Sequence, residues 1–220
     1  MKSRHTAVVR ITHWIHTFGF LALLVSGVAI LLAHPRLYWG ETGASGSPAL
    51  IELRLPLNLE QSGWGRSLHF LSAWICVLNG TLYACWGFMR GHFRKNLLPS
   101  NSDFHWRPLV NVFSNRLHLQ NPGDGSYNVL QRLSYLAVIF LLFPLMISTG
   151  LAMSPAIGSV LPVIVTVFGG HQSARTIHFF VTNLLVFFVI IHIAMVSLAG
   201  FRNRMRSMIT GGVLDVGERT

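Results

Sequence analysis

The sequence predicts an all-α fold, an integral membrane four-helix bundle with the N-terminus and C-terminus cytoplasmic. Three observations lead there. Of 220 residues, 51% are hydrophobic and only 11% are charged, whereas an ordinary soluble domain carries ~25% charged residues. Four apolar runs each reach the ~20 residues that a helix needs to cross a bilayer, and none of them contains Asp or Glu. The 17 Lys+Arg outnumber the 7 Asp+Glu and gather beside alternate ends of those runs. So apolar a chain is not disordered, and so few charges do not cover a soluble two-domain enzyme. Residues 1–220 read as a single transmembrane domain.

The first run is Ile11–Ala33. Its apolar part is too long for the core of a signal peptide, it carries His13 and His16, and no small-x-small cleavage site is convincing, so it is expected to stay. After it come His34-Pro35-Arg36-Leu37-Tyr38-Trp39-Gly40, a Gly/Ser stretch, and Ile51–Leu55, which alternates like a short strand. Tyr38, Trp39 and Trp64 suit the outer membrane interface.

The second run, Leu68–Met89, contains Cys76 and Cys85, without C-x-x-C or C-x-x-C-H. That spacing excludes a covalently attached c-type haem and a zinc knuckle, and both thiols read as buried small hydrophobes. The third run is Leu133–Met153. Ile157–Phe168 is apolar too, but it is short and holds Pro162, so it is placed as an interfacial or re-entrant piece. The fourth run is Thr176–Gly200. No internal repeat supports an inverted-repeat transporter.

Charge orients the bundle. Lys2, Arg4 and Arg10 precede the first run, Arg90, Arg94, Lys95, Arg107 and Arg116 follow the second, and Arg202, Arg204, Arg206 and Arg219 follow the fourth. The positive-inside rule puts these segments in the cytoplasm. The basic excess is therefore a topology signal, scattered among loops rather than forming the stripe that nucleic-acid binding needs.

Of eleven histidines, His5, His34, His92, His105, His118 and His171 fall in loops or tails. His13, His16, His69, His178 and His192 fall in or at the ends of the runs, where ionisable side chains are costly and usually functional. His178 and His192 are 14 residues apart, which is about 40° short of four full helical turns and ~21 Å along the axis. They share a face and sit toward opposite sides of the membrane. Given the orientation, His69 lies at the outer level with His178, and His13 and His16 lie at the inner level with His192.

Two imidazoles per level suit a b-type haem with histidine at both axial positions, whereas metal ions without a macrocycle want more ligands, and no carboxylate is near. Gly19, Gly27, Gly80 and Gly150 either admit a flat cofactor or serve ordinary small-residue packing. Arg10, Arg66 and Arg175 either pair with haem propionates or anchor the membrane edge.

At these residues the sequence resembles the bacterial four-helix di-haem cytochrome b subunits of membrane-bound hydrogenases, formate dehydrogenases and thiosulfate-reductase-like molybdoenzymes. The matching pieces are Arg10-Ile11-Thr12-His13-Trp14, Gly65-Arg66-Ser67-Leu68-His69, Tyr127-Asn128-Val129-Leu130-Gln131, His178 with His192, and Arg206-Ser207-Met208-Ile209-Thr210-Gly211. His34-Pro35-x-x-Tyr38-Trp39-Gly40 and Gln172-Ser173-Ala174-Arg175-Thr176 bring it nearest to the thiosulfate-reductase group. The resemblance implies two haems b with His13, His69, His178 and His192 as axial ligands, and it prefers His13, whereas depth alone favours His16.

It further implies a subunit of the bacterial inner membrane. That subunit passes electrons between a periplasmic, molybdopterin-type oxidoreductase and the quinone pool, leaving substrate chemistry to the partner. Membrane lipid surrounds it, and no nucleic acid is expected. The alternatives are a free-standing quinone-linked cytochrome b and a haem-free proton transporter with histidine relays. The outer loop Leu37–Ser67 carries balanced charges with Tyr38, Trp39 and Trp64, and is expected either to meet the partner or to cover the outer site.

Overall fold

The structure, a computed structural model, describes residues 6–41, 47–53, 63–91, 129–198 and 200–212. Among these, four apolar helical stretches are long enough to cross a membrane: Ala7–Ala33, Gly63–Met89, Leu133–Ala152 and His171–Leu198. The four-span expectation holds, with shifted ends. Arg94, Lys95, Arg107, Arg116, Arg219, His5, His92, His105 and His118 lie outside the described residues, as do Tyr127 and Asn128 of the matching pieces.

Helix α1 (Ala7–Ala33) and helix α2 (Gly63–Met89) show how lipid inverts the usual pattern. On α1, Phe18, Leu21, Val25 and Val28 are exposed, while Gly19 and Ser26, seven residues apart, are buried. On α2, Leu71, Leu78 and Leu82 are exposed, and Ser72 and Asn79, again seven apart, are buried. Without a hydrophobic force between helices in lipid, small and polar residues form the contacts, and bulky apolar ones face the tails. The thiols need correction on this account: Cys76 is half-buried and Cys85 is exposed.

The third span is not one α-helix. It runs as α3 (Val129–Ala137), a π-helical turn (Val138–Leu142) and α4 (Phe143–Ala152). Pro144 is the cause: it has no N–H to donate, and its ring crowds the carbonyl four residues back, so the preceding turn widens. The expected interfacial piece is two short helices, α5 (Pro155–Val160) and α6 (Val163–Val167), parted at Pro162.

Helix α7 (His171–Leu198) begins five residues before the predicted fourth span, so His171 opens a helix and is not a loop residue. Likewise α2 begins at Gly63, so Trp64 and Ser67 belong to a helix rather than to the outer loop. Gly200, in the left-handed region at φ 91°, turns the chain, a conformation that costs glycine nothing. Helix α8 (Phe201–Ile209) follows, where the sequence suggested only a basic tail.

By contacts the chain divides into two compact units. One comprises Met1–His16, Asn79–Val138 and Phe188–Thr220. Within it, α8 is tied to α1: Arg10 Nη1 donates to Ile209 O (3.1 Å) and Trp14 Nε1 to Met208 O (3.2 Å). A cation and an indole N–H thus serve the carbonyls that the end of a helix leaves open.

The other unit comprises Thr17–Leu78 and Ile139–Phe187. In it a two-residue ladder joins β1 (Arg36–Leu37) antiparallel to β2 (Ile51–Glu52), Arg36 opposite Glu52. The predicted strand is real but shorter, and its partner strand was not foreseen. Its loop caps α7: Gly40 O accepts from Gln172 N (3.1 Å) and Ser173 N (3.3 Å), and Gly40 N donates to Ser173 Oγ (2.7 Å). Thr176 Oγ1 donates to Tyr38 O (2.6 Å), and Arg175 donates to His34 O.

Candidate functional site

In the second unit His69 of α2 faces His178 of α7, ring centroids 6.3 Å apart and planes at 60°. Each ring is held from behind by a hydroxyl. Ser26 Oγ lies 3.0 Å from His69 Nδ1, and Thr149 Oγ1 lies 2.9 Å from His178 Nδ1. Both hydroxyls bond back to their own helix, Ser26 to Ala22 O (2.7 Å) and Thr149 to Leu145 O (2.8 Å). The residue after each hydroxyl is a glycine lying against the same ring. A Cβ on Gly27 would stand 3.5 Å from His69 Cε1, and one on Gly150 would stand 3.6 Å from His178 Cε1.

In the first unit His13 of α1 faces His192 of α7, centroids 6.4 Å apart and planes at 48°. This pair is framed by aromatic rings. Phe188 stacks on His192 (6.0 Å, 20°), Tyr135 meets it edge-on (6.3 Å, 68°), and Trp14 stands edge-on to His13 (5.5 Å, 88°). His16 turns toward α2 instead. Its Nδ1 meets the Asn79 amide nitrogen and lies 3.2 Å from Thr12 O, and its ring lies against Gly80.

Both facing pairs fit an iron between them. Two ring nitrogens, each ~2 Å from a shared metal, leave the ring centres ~6 Å apart. Two protein ligands suffice only where a macrocycle supplies the rest, and among the described residues no three His, Cys, Asp or Glu gather to hold a metal ion. The arginines divide. Arg10 Nε is buried with no hydrogen-bond partner among the described residues, a cationic N–H still able to donate. Arg175 gives an N–H to His34 O. Arg66 is exposed beside a small cleft lined by His34, Ala29, Ala33 and Ser67. Burial, then Arg175 and Arg66, hold the His34 imidazole below its ordinary value.

The glycines lie beside side chains that the sequence did not single out for them. Gly27, Gly80 and Gly150 lie against imidazoles at distances that a Cβ would meet as ordinary contact, whereas a Cβ on Gly19 would overlap Cys76 Sγ. Sequence reasoning missed Ser26, Thr149 and Asn79. Yet a signal was there: Ser26-Gly27, Thr149-Gly150 and Asn79-Gly80 are each a hydrogen-bonding residue followed by glycine, within an apolar run and against a histidine. Tyr135 and Phe188 carried no such signal, being aromatics among many.

Four apolar spans and two pairs of facing imidazoles are the features of a membrane cytochrome. Residues 4–211 match the family described as prokaryotic cytochrome b561, and the chain belongs to that family. A relative from Azospira oryzae, named as a putative protein-methionine-sulfoxide reductase subunit YedZ1, is 27% identical over 197 residues, covering 88% of this chain and 90% of the relative. No solved structure matches the chain. The protein is therefore a haem-b electron-transfer subunit, multi-pass in the bacterial inner membrane, and the haem-free transporter reading falls away.

Proposed function

We propose that the chain, as one domain over residues 1–220, holds two haems b and carries electrons between the quinone pool and a periplasmic oxidoreductase of molybdopterin type. One haem belongs between His69 and His178, the other between His13 and His192. The observation that carries this reading is the pair of facing ring sets, at 6.3 and 6.4 Å. When bound, each haem supplies a one-electron carrier with both axial positions filled, suited to electron transfer rather than O₂ chemistry.

The chain's own residues do the rest. The four histidines ligate, and Arg10, Arg66 and Arg175 balance propionate charge. Trp14, Tyr135 and Phe188 exclude water around the inner rings. The relative's name extends the reading to the partner, whose substrate class is methionine sulfoxide in proteins rather than thiosulfate. A sulfoxide reductase consumes electrons, so they run outward from quinol. The Tyr38 and Trp39 region supplies the docking face.

Haem content tests the core of this. Purified chain yields close to two haems per polypeptide, all removed by acid–acetone because none is covalent. A ratio near one in fully loaded protein refutes the two-site reading. Mild-detergent purification brings the partner along, and cross-links fall on 37–41 and 47–53. Cross-links confined to Gly91–Tyr127 would mean a cytoplasmic partner.

A further inference from the structure

We propose that Ser26 and Thr149 are positioning residues that fix the tautomer of the outer histidine pair and lower the reduction potential of the outer haem. The inference rests on the haem reading above and adds to it which atoms set the potential.

The argument begins with one proton. A hydroxyl carries a single hydrogen and can also accept. Ser26 Oγ stands 2.7 Å from Ala22 O and 3.2 Å from Leu23 O, and Thr149 Oγ1 stands 2.8 Å from Leu145 O and 3.0 Å from Met146 O. A carbonyl only accepts, so each hydroxyl proton goes to its own helix backbone. Toward His69 Nδ1 at 3.0 Å and His178 Nδ1 at 2.9 Å the same oxygens can then only accept. Both imidazoles therefore carry their proton on Nδ1 and present the bare Nε2 lone pair, the form that ligates iron.

Ser26 and Thr149 are fully buried, so no water competes for these bonds. An acceptor on the far nitrogen makes an imidazole a stronger electron donor, which favours ferric over ferrous iron. The inner pair is set differently: His192 lies among Phe188, Tyr135 and His13. The two hydroxyls thus lower the potential of the outer haem relative to its value without them.

The test uses full-length, haem-loaded protein in detergent. Redox titration of the reduced α-band is run on wild type, Thr149→Val, Thr149→Ser and Ser26→Ala, and His178→Ala identifies the outer component. Thr149→Val keeps the shape and removes the hydroxyl acceptor, leaving His178 the Met146 carbonyl alone, so the outer midpoint rises and the inner one stays. Haem affinity at the outer site falls about 10- to 100-fold, the usual cost of losing such a partner. Ser26→Ala acts in the same direction, and Thr149→Ser keeps the hydroxyl and restores both properties.

An outer midpoint that stays or falls in Thr149→Val overturns the inference, as does equal haem loss from Thr149→Val and Thr149→Ser. Haem loss from Thr149→Val alone supports it. Wild type lacking two α-band components would instead defeat the two-haem reading itself.

Discussion

Gly170→Ala is a single-methyl change with a large expected effect. Gly170 sits at φ 113°, where an L side chain costs on the order of 1–3 kcal/mol. The added Cβ would overlap the Gly40 carbonyl and stand 2.6 Å from Glu41 N. Those atoms are backbone and cannot rotate away, so the loop must lift from α7. Lifting breaks the bonds from Gln172 N and Ser173 N to Gly40 O and from Gly40 N to Ser173 Oγ, each worth ~1 kcal/mol net. Strain and lost bonds together give a destabilisation of about 4–6 kcal/mol.

For a chain of this size, each kcal/mol moves the midpoint by about 2–4 °C. Thermal unfolding followed by helical circular dichroism and by the α-band measures it, and the outer haem component should suffer first because α7 carries His178. Gly158→Ala is the control. Its Cβ would meet His171 Cε1 and Val165 Cγ2 at 3.5 Å, ordinary contact, and should cost under ~1 kcal/mol. A Gly170→Ala protein as stable as wild type, or a Gly158→Ala protein equally damaged, refutes the reasoning.

Other substitutions probe the ligands and the packing. His69→Ala or His178→Ala removes one α-band component, His13→Ala or His192→Ala removes the other, and His16→Ala keeps both. A component lost with His16 but kept with His13 would reverse the inner assignment. Gly19→Ala overlaps Cys76 Sγ and destabilises by about 1–3 kcal/mol. Adding Cys76→Ala recovers most of that loss in the same melt, and an unrescued double variant would show that the two residues do not share the space.

The His34 imidazole is held below its ordinary value by burial first, then by Arg175 and Arg66. The unfolded chain therefore binds more protons there, so this stability is full above ~6.5 and is lost as pH falls below it. His34→Gln should flatten the melting-temperature slope between pH ~5 and ~7, and an unchanged slope counts against the placement of His34.

What the sequence made legible follows from what lipid demands. A membrane span must satisfy its backbone internally and present apolar side chains, so the four runs and their scarcity of charge could be read directly. The histidine pairs were legible because regular helix geometry keeps residues 178 and 192 on one face, about four turns apart. What escaped depends on local departures from that regularity. The π turn at Val138–Leu142 answers to one proline, and a period count runs through it unaware. Helix α8 is too short to register as a span, and it depends on Gly200 to turn the chain and on Arg10 and Trp14 to close its end.

The arginine assignments were the least legible, because guanidinium reach is decided by backbone carbonyls. Ile209 O and His34 O take N–H groups from Arg10 and Arg175, and carbonyls leave no mark in a residue pattern. Hydroxyl–glycine pairs do leave one. In a helix, glycine lets a neighbouring ring approach the backbone, and the hydroxyl beside it has its own proton committed one turn back. The pair therefore acts as a socket for an imidazole Nδ1–H. Ser26-Gly27 and Thr149-Gly150 stand on different helices and receive histidines from two others. His16 meets the same pattern of a hydrogen-bonding residue followed by glycine, in Asn79 and Gly80 of α2.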